Sequence, residues 1–412
     1  MSTKNSLYTI LDIVCSIIKE YNEQYDFINL CRSSKKYMEL FDIMIKNNKI
    51  KIHLNNYYSY EFIKNYIFRN KFIKIFSNPT LTIVYNEQRG FVKFLNKNKN
   101  FKITKFIIYQ IFSNKFVEII NKMYQDVEYI EFACCDCVEK NLNFENLSSL
   151  VKLKSLIFNF SFSNILTDSN IDKIKFIDNL KLDDLKKITN ISSLTNVKEL
   201  ILSRISLTDI DISMLKNIKK LQLELCDKIT QITSFNNLIC LELIECESIK
   251  EISSLDNIQK IIITRCQKLT DISTLSNCKT IIIKECLKLS KIKKLINIQH
   301  MNITFCHRLN YILDDFSSIH NLELRELSRL ETIGGKIDML QISFCGKINY
   351  IVMLANIKKL NIIYCNNKII NFLFFLKSIK KYSCEIILTT DYLKQKKIVN
   401  LAKILNISFR ND

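Results

Sequence analysis

The sequence predicts an α/β chain dominated by a solenoid, a parallel sheet on the concave face of stacked short repeats, with a small all-α segment before it and a capping helix after it. Three observations lead there. Apolar triplets followed three residues later by cysteine recur at steps of 20 residues through the second half of the chain. Only 4 Gly and 1 Pro occur in 412 residues, which disfavours hairpins, glycine turns and phosphate loops. The first 45 residues instead carry apolar side chains at helical spacing.

The repeats read as follows. Leu221-Gln-Leu223 leads to Cys226, Leu241-Glu-Leu243 to Cys246, Ile261-Ile-Ile263 to Cys266 and Ile281-Ile-Ile283 to Cys286. Met301-Asn-Ile303 leads to Cys306, Leu322-Glu-Leu324 to Leu327, Leu340-Gln-Ile342 to Cys345 and Leu360-Asn-Ile362 to Cys365. The steps between the closing positions are 20, 20, 20, 20, 21, 18 and 20. Each unit continues similarly, with Ile229, Ile232 and Leu238 after Cys226, and Leu269, Ile272 and Leu275 followed by Asn277 after Cys266. An alternating triplet is a short strand with one face turned inward. The later Leu and Ile return the chain across the core. One unit cannot bury its apolar edge alone, so units stack, with strands about 4.8 Å apart. Over about half the chain this pattern resembles the leucine-rich repeat, L-x-x-L-x-L-x-x-N/C-x-L.

Upstream the spacing loosens. Leu200-Ile-Leu202 leads to Ile205, Leu180-Lys-Leu182 to Leu185, Leu156-Ile-Phe158 to Ser161 and Ile130-Glu-Phe132 to Cys135. Longer units have room for a helix on the convex side, whereas the 20-residue units are expected to hold only extended or 3₁₀ segments there. Strands near 106–108 and 81–83 are expected to begin the solenoid. Thr390-Asp391 is expected to open the capping helix over 392–405.

Seven cysteines share one repeat position: Cys226, Cys246, Cys266, Cys286, Cys306, Cys345 and Cys365. A metal or redox role competes with a structural one. Zinc ligands converge on a point, commonly as C-x₂-C steps, whereas a ladder makes a line. The structural reading is therefore taken, and neither metal nor cofactor is expected. Cys134-Cys135-Asp136-Cys137 is a dense thiol cluster, and His300 and His307 flank Cys306 without a fourth ligand. Neighbouring ladder thiols lie within disulfide reach. No secretory signal is recognised, so reduced thiols in a cytoplasmic or nuclear protein, not a secreted one, are expected. No run of 18 apolar residues exists, so no membrane span is expected.

A partner is expected on the concave face, at the positions between the inward residues. Glu224, Glu242, Ile244, Ile262, Ile282, Lys284 and Arg325 form that candidate face. The positions that follow add Arg265, Phe305, Phe344 and Tyr364. Exposed isoleucines mark partner sites, and Phe, Tyr and Arg are common interface anchors. The mixed charge speaks against a nucleic-acid groove.

The net charge is +19, and residues 51–125 hold 13 Lys/Arg against 3 Asp/Glu. Tyr57, Tyr58, Tyr60, Phe62, Tyr66, Phe68, Phe72 and Phe76 accompany them. A stacking surface for single-stranded nucleic acid is one reading. A packed helical linker with solvated lysines is the other. It is preferred because no Arg cluster and no nucleic-acid motif is present, so nucleic acid is not an expected partner.

Ile10, Ile13, Val14, Ile17 and Ile18 share a helical face, and Phe27, Leu30, Tyr37, Met38 and Phe41 mark a second amphipathic stretch. These residues resemble an F-box, with 13–18, Asp26-Phe27 to Leu30, and Ser33-Ser34-Lys35 to Tyr37 standing for its three elements. The usual Leu-Pro is absent, since Tyr8-Thr9 follows Leu7, and Tyr37 stands where Trp or Phe is common. The resemblance implies that Ile10, Ile13, Ile17, Phe27, Leu30 and Tyr37 contact a Skp-type adaptor of a cullin-RING ubiquitin ligase, with the repeats holding a substrate. An ordinary helical cap of the solenoid is the alternative.

The expected organisation is an F-box-like segment over 1–45, a basic linker with irregular first repeats over 46–125, the solenoid over 126–390 and the cap over 391–412. The expected function is a non-enzymatic protein-binding scaffold, as an F-box-like substrate receptor. A repeat scaffold outside ubiquitination and a nucleic-acid protein acting through 51–125 are the alternatives. No H-E-x-x-H, G-x-S-x-G or glycine-rich phosphate loop appears.

Overall fold

The computed structural model describes residues 103–363 apart from short internal gaps, together with the strands Leu81–Tyr85, Glu385–Thr389 and Ser408–Phe409. The expected helices of 1–45 and the helix over 392–405 lie outside the described residues. The chain divides into two units, residues 1–181 and 182–412.

In the first unit, strands Leu81–Tyr85, Ile103–Ile108, Tyr129–Phe132 and Ser155–Phe158 pair in parallel in chain order. These units are long enough for helices between strands. Helix Asn114–Met123 buries Val117 and Ile120 and packs on the 3₁₀ helix Phe144–Ser149. The core there is aromatic. Phe132 stacks on Phe158 at 4.9 Å, Phe162 meets both at 4.8 and 5.1 Å, and Phe144 stands edge-on to Phe158 at 5.9 Å. The expected inward position at Ser161 is a correction. Asn159 accepts from the Ser161 amide and starts a 3₁₀ turn over Phe160–Phe162. That tighter turn brings Phe162, rather than Ser161, into the core.

The second unit is the regular solenoid. Its strands run Glu199–Ser203, Lys220–Glu224, Cys240–Ile244, Lys260–Thr264, Thr280–Lys284, Ile298–Thr304, Ser318–Arg325, Lys336–Ser343 and Lys359–Ile363. Each pairs in parallel with the next. The register is that of the repeats: Leu221, Leu241, Ile261, Ile281, Met301, Leu322, Leu340 and Leu360 sit side by side. Glu385–Thr389 and Ser408–Phe409 continue the sheet, so pairing extends beyond the expected boundary at 390.

One turn of the solenoid has a simple interior. Leu221, Leu223, Cys226, Ile229, Ile232, Phe235 and Leu238 are all buried before Leu241 begins the next turn. A single two-residue step belongs to the strand, where side chains alternate. Every other step is three residues, so the rest of each turn bends continually around its apolar row. Opposite the main sheet, Gln231–Thr233 pairs with Glu251–Ser253, and Tyr311–Ile312, Thr332–Ile333 and Tyr350–Ile351 form a second small ladder. These are the extended segments expected for short units. In the slightly longer unit after Glu199–Ser203, a short helix Asp209–Ser213 is opened by a capping box between Thr208 and Asp211.

The 18-residue step is absorbed at Gly335. Ile333 and Ile337 are both buried with one corner omitted between them, and Gly335 turns the chain at φ 86°.

Candidate functional site

Along the strands of the second unit the burial alternates, so the inward and outward assignment read from the sequence holds. Leu241 and Leu243 are buried while Glu242 and Ile244 are half-exposed, and the same holds for Ile262 and Ile282 on the next two strands. Ser203 and Ser343 depart from this pattern: each occupies an outward position yet is buried.

The residue after each strand is not on the pleat. Leu225, Glu245, Arg265, Glu285, Phe305, Glu326 and Phe344 adopt left-handed backbone with φ between 52° and 56°, and so do Asp184 and Arg204. Non-glycine residues resist this region by about 1–2 kcal/mol each. The compensation is a hydrogen bond at every turn. The Glu245 amide donates to the Thr264 carbonyl at 2.8 Å, that of Arg265 to Lys284 at 2.9 Å and that of Phe344 to Ile363 at 2.9 Å. These turns set Arg265, Phe305 and Phe344 at the rim of the sheet, one residue beyond the ends of their strands.

At that rim lies a half-open cleft of about 500 Å³. Lys284, Asn302, Phe305, Glu323, Arg325 and Phe344 line it, with Ile363 at its far side. Phe344 is 45% exposed. The Arg325 guanidinium lies 5.8 Å from the Phe344 ring centre and donates from Nε to Glu326 Oε1 at 3.2 Å. Phe305 meets the His307 ring edge-on at 6.4 Å. The floor is a polar network. Asn302 Nδ2 donates to Glu323 Oε2 at 2.7 Å and Asn321 Nδ2 to Glu323 Oε1 at 3.3 Å, so both carboxylate oxygens are engaged. Lys284 is exposed. The cleft therefore offers two aromatic faces, two cations and two paired carboxylates, Glu285 and Glu323; Phe and Arg are residue types enriched at protein–protein interfaces.

The candidate residues are thus distributed. Lys284, Phe305, Arg325 and Phe344 converge on the cleft. Ile262 and Ile282 sit side by side as a separate half-exposed apolar pair, with Glu242 next to Ile262 in the same row. Ile244 and Glu224 lie in the neighbouring row, side by side. Arg265 is tied into an ion triad, donating from Nη1 to Glu245 Oε1 at 2.7 Å and from Nε to Glu285 Oε2 at 2.8 Å. Tyr364, Cys365, Cys135 and the six adaptor-contact residues between 10 and 37 lie outside the described residues. Asn302 and Glu323 are cleft residues that the sequence marks only as outward strand positions, outside the candidate face. Their only signal is that polar residues replace Ile262 and Ile282 in the same row.

The cysteine ladder is structural in its contacts. Cys226, Cys246, Cys266, Cys286, Cys306 and Cys345 are fully buried free thiols. Cys246 Sγ donates to the Ile244 carbonyl at 3.5 Å and lies 3.4 Å from that of Leu223, and Cys286 reaches Lys284 at 3.5 Å. Burial pushes the Cys266 thiol up to about 12. The hydrogen bond to Cys226 and burial hold Cys246 far above the usual thiol range. Leu327 fills the same position in its turn. Cys278 is an inward residue of its turn, with burial raising that thiol to about 11, while Asn277 lies outside the described residues. An asparagine column was also missed: Asn217, Asn237 and Asn257 each donate from Nδ2 to a carbonyl of the preceding turn, at 2.8, 2.9 and 2.5 Å. Their 20-residue spacing was visible in the sequence.

No protein-family model matches the chain, and no curated protein matches it. Among solved structures it is similar to an internalin from Listeria monocytogenes, at 14% identity and a TM-score of 0.33, over 68% of this chain and 81% of that one. Among the described residues no helix is long and apolar enough to cross a membrane.

Proposed function

We propose that this chain is a receptor for a protein partner, which it holds in the cleft formed by Lys284, Phe305, Arg325 and Phe344. The carrying observation is the convergence of two aromatic rings and a guanidinium from three turns on one half-open, partly polar depression. Truncating such anchors costs interfaces about 2 kcal/mol or more each. Quantitative capture with the wild-type chain and with Phe305→Ala/Arg325→Ala/Phe344→Ala tests this. Partners that bind as purified proteins and lose at least tenfold affinity in the variant support the reading. Equal binding by a well-folded variant removes the cleft from it.

The finer reading is an F-box-like substrate receptor of the cytoplasm or nucleus, in which Ile10, Ile13, Ile17, Phe27, Leu30 and Tyr37 dock a Skp-type adaptor. It rests on the F-box resemblance of the N-terminal segment followed by repeats. A pull-down of the full chain with purified Skp-type adaptor decides it. Retention that is abolished by Ile17→Asp with the fold intact supports it. No retention leaves a scaffold outside ubiquitination.

A further inference from the structure

Stacking brings together cations that the sequence scatters 20 residues apart. Two positions after the ladder residue stand Lys228, Lys268, Lys288, Arg308, Arg329 and Lys347, all exposed, with Ser248 interrupting the column. Among the described residues none of the six cations has an ion-pair partner. Backbone hydrogen bonds between turns bracket the column and keep it in register. On one side the Arg265 amide donates to Lys284 and that of Glu285 to Thr304, both at 2.9 Å. On the other the Ser290 amide donates to Thr270 at 3.0 Å and that of Glu331 to Asn310 at 2.9 Å. From Lys268 to Lys347 there is one cation per turn over five turns, spaced by about 4.8 Å. Acidic neighbours are few there. Asp227 and Glu247 lie at the upstream end, Asp271 and Glu331 lie along the column, and the rim carboxylates Glu285 and Glu326 are engaged by Arg265 and Arg325. Leu287 stands beside Lys288 and is 46% exposed.

We propose that this cationic edge docks an acidic amphipathic helix belonging to a protein partner, an inference that rests on the scaffold reading above. A row of like charges one turn apart repels itself and favours an anionic occupant. An α-helix advances about 5.4 Å per turn, so one carboxylate per turn makes a straight row close to the spacing of the column, and long lysine and arginine side chains absorb the difference. Apolar residues next to that row meet Leu287. A nucleic-acid duplex fits less well. Its phosphates wind away from a straight line, and it has nothing apolar for Leu287.

The test uses the full chain and a fluorescein-labelled helical peptide of about 20 residues, with glutamate once per turn along one face and leucine beside it. We expect binding at low salt that weakens at least ~10-fold in Lys288→Glu/Arg308→Glu/Arg329→Glu and changes less than ~2-fold in Lys186→Glu/Lys216→Glu/Lys219→Glu. All six positions are exposed, and circular dichroism confirms the fold of each variant. The proposal is overturned by no binding, by equal weakening in the two variants, or by column-dependent binding of an oligothymidylate tighter than that of the peptide. The cleft variant Phe305→Ala/Phe344→Ala, which keeps Arg325 on Glu326, leaves peptide binding unchanged, so failure of the cleft and failure of the column are read separately.

Discussion

Arg265 grips Glu285, one turn further along, through both carboxylate oxygens: Nε to Oε2 at 2.8 Å and Nη2 to Oε1 at 3.5 Å. Its remaining arm reaches Glu245 one turn back. One guanidinium thus ties three successive left-handed corners together. The two carboxylates hold the guanidinium proton more firmly than usual. Because the triad is exposed, its contribution depends on salt. Arg265→Leu is expected to lower the thermal midpoint in dilute buffer, with the difference from wild type shrinking toward zero at about 1 M NaCl. A difference that persists at high salt would show that packing of the arginine stem dominates.

The buried thiols make alkaline stability a readout of the ladder. Burial raises Cys266 to about 12 and Cys278 to about 11, above an ordinary thiol value of 9.0. A raised folded pKa means that the unfolded chain loses its protons first. The stabilisation is fully present below about pH 9 and is lost as pH rises toward the folded values, by about 1.4 kcal/mol per thiol per pH unit. Urea unfolding at pH 7.5 and pH 10 measures this. Cys266→Ala/Cys278→Ala starts less stable but loses less between the two values. An unchanged pH dependence would refute the assignment.

Left-handed corners occupied by ordinary side chains can be improved. Leu225 sits at φ 52° and is only half-buried. Asparagine tolerates this region far better, so Leu225→Asn is expected to stabilise by about 0.5–1 kcal/mol. Leu225→Val, with its branched Cβ, is expected to destabilise by at least about 1 kcal/mol. Denaturant midpoints with unchanged slopes check both signs.

Asp209 staples its helix to the next turn. Oδ1 accepts from the Thr230 amide at 2.6 Å and the Gln231 amide at 3.2 Å, and Oδ2 from the Thr230 hydroxyl at 2.6 Å. These are charge-assisted bonds to backbone donors. Asp209→Ala is expected to cost about 1–2 kcal/mol. Amide exchange at Thr230 and Gln231 is expected to rise with it, and an unchanged exchange rate would separate the stability loss from the staple.

The repeat, the strand register and the inward rows are legible in the sequence alone. Each of these is written in a local period: two residues within the strand, three around the bends, 20 per turn. Burial of Leu, Ile and Cys at those steps leaves little freedom in how the turns stack. The sequence also carried the separation of helix-bearing long units from extended short ones, because chain length between strands decides what fits. The tertiary structure decided the rest. It placed Arg265, Phe305 and Phe344 on left-handed corners, which no glycine announces. It put Phe162 in the place expected of Ser161, where the 3₁₀ turn opened by Asn159 shifts the phase by one residue. The cleft and the cationic edge exist only between turns. Asn302 and Glu323, or Lys288 and Arg308, are some 20 residues apart along the chain and become neighbours because the turns stack in register about 4.8 Å apart.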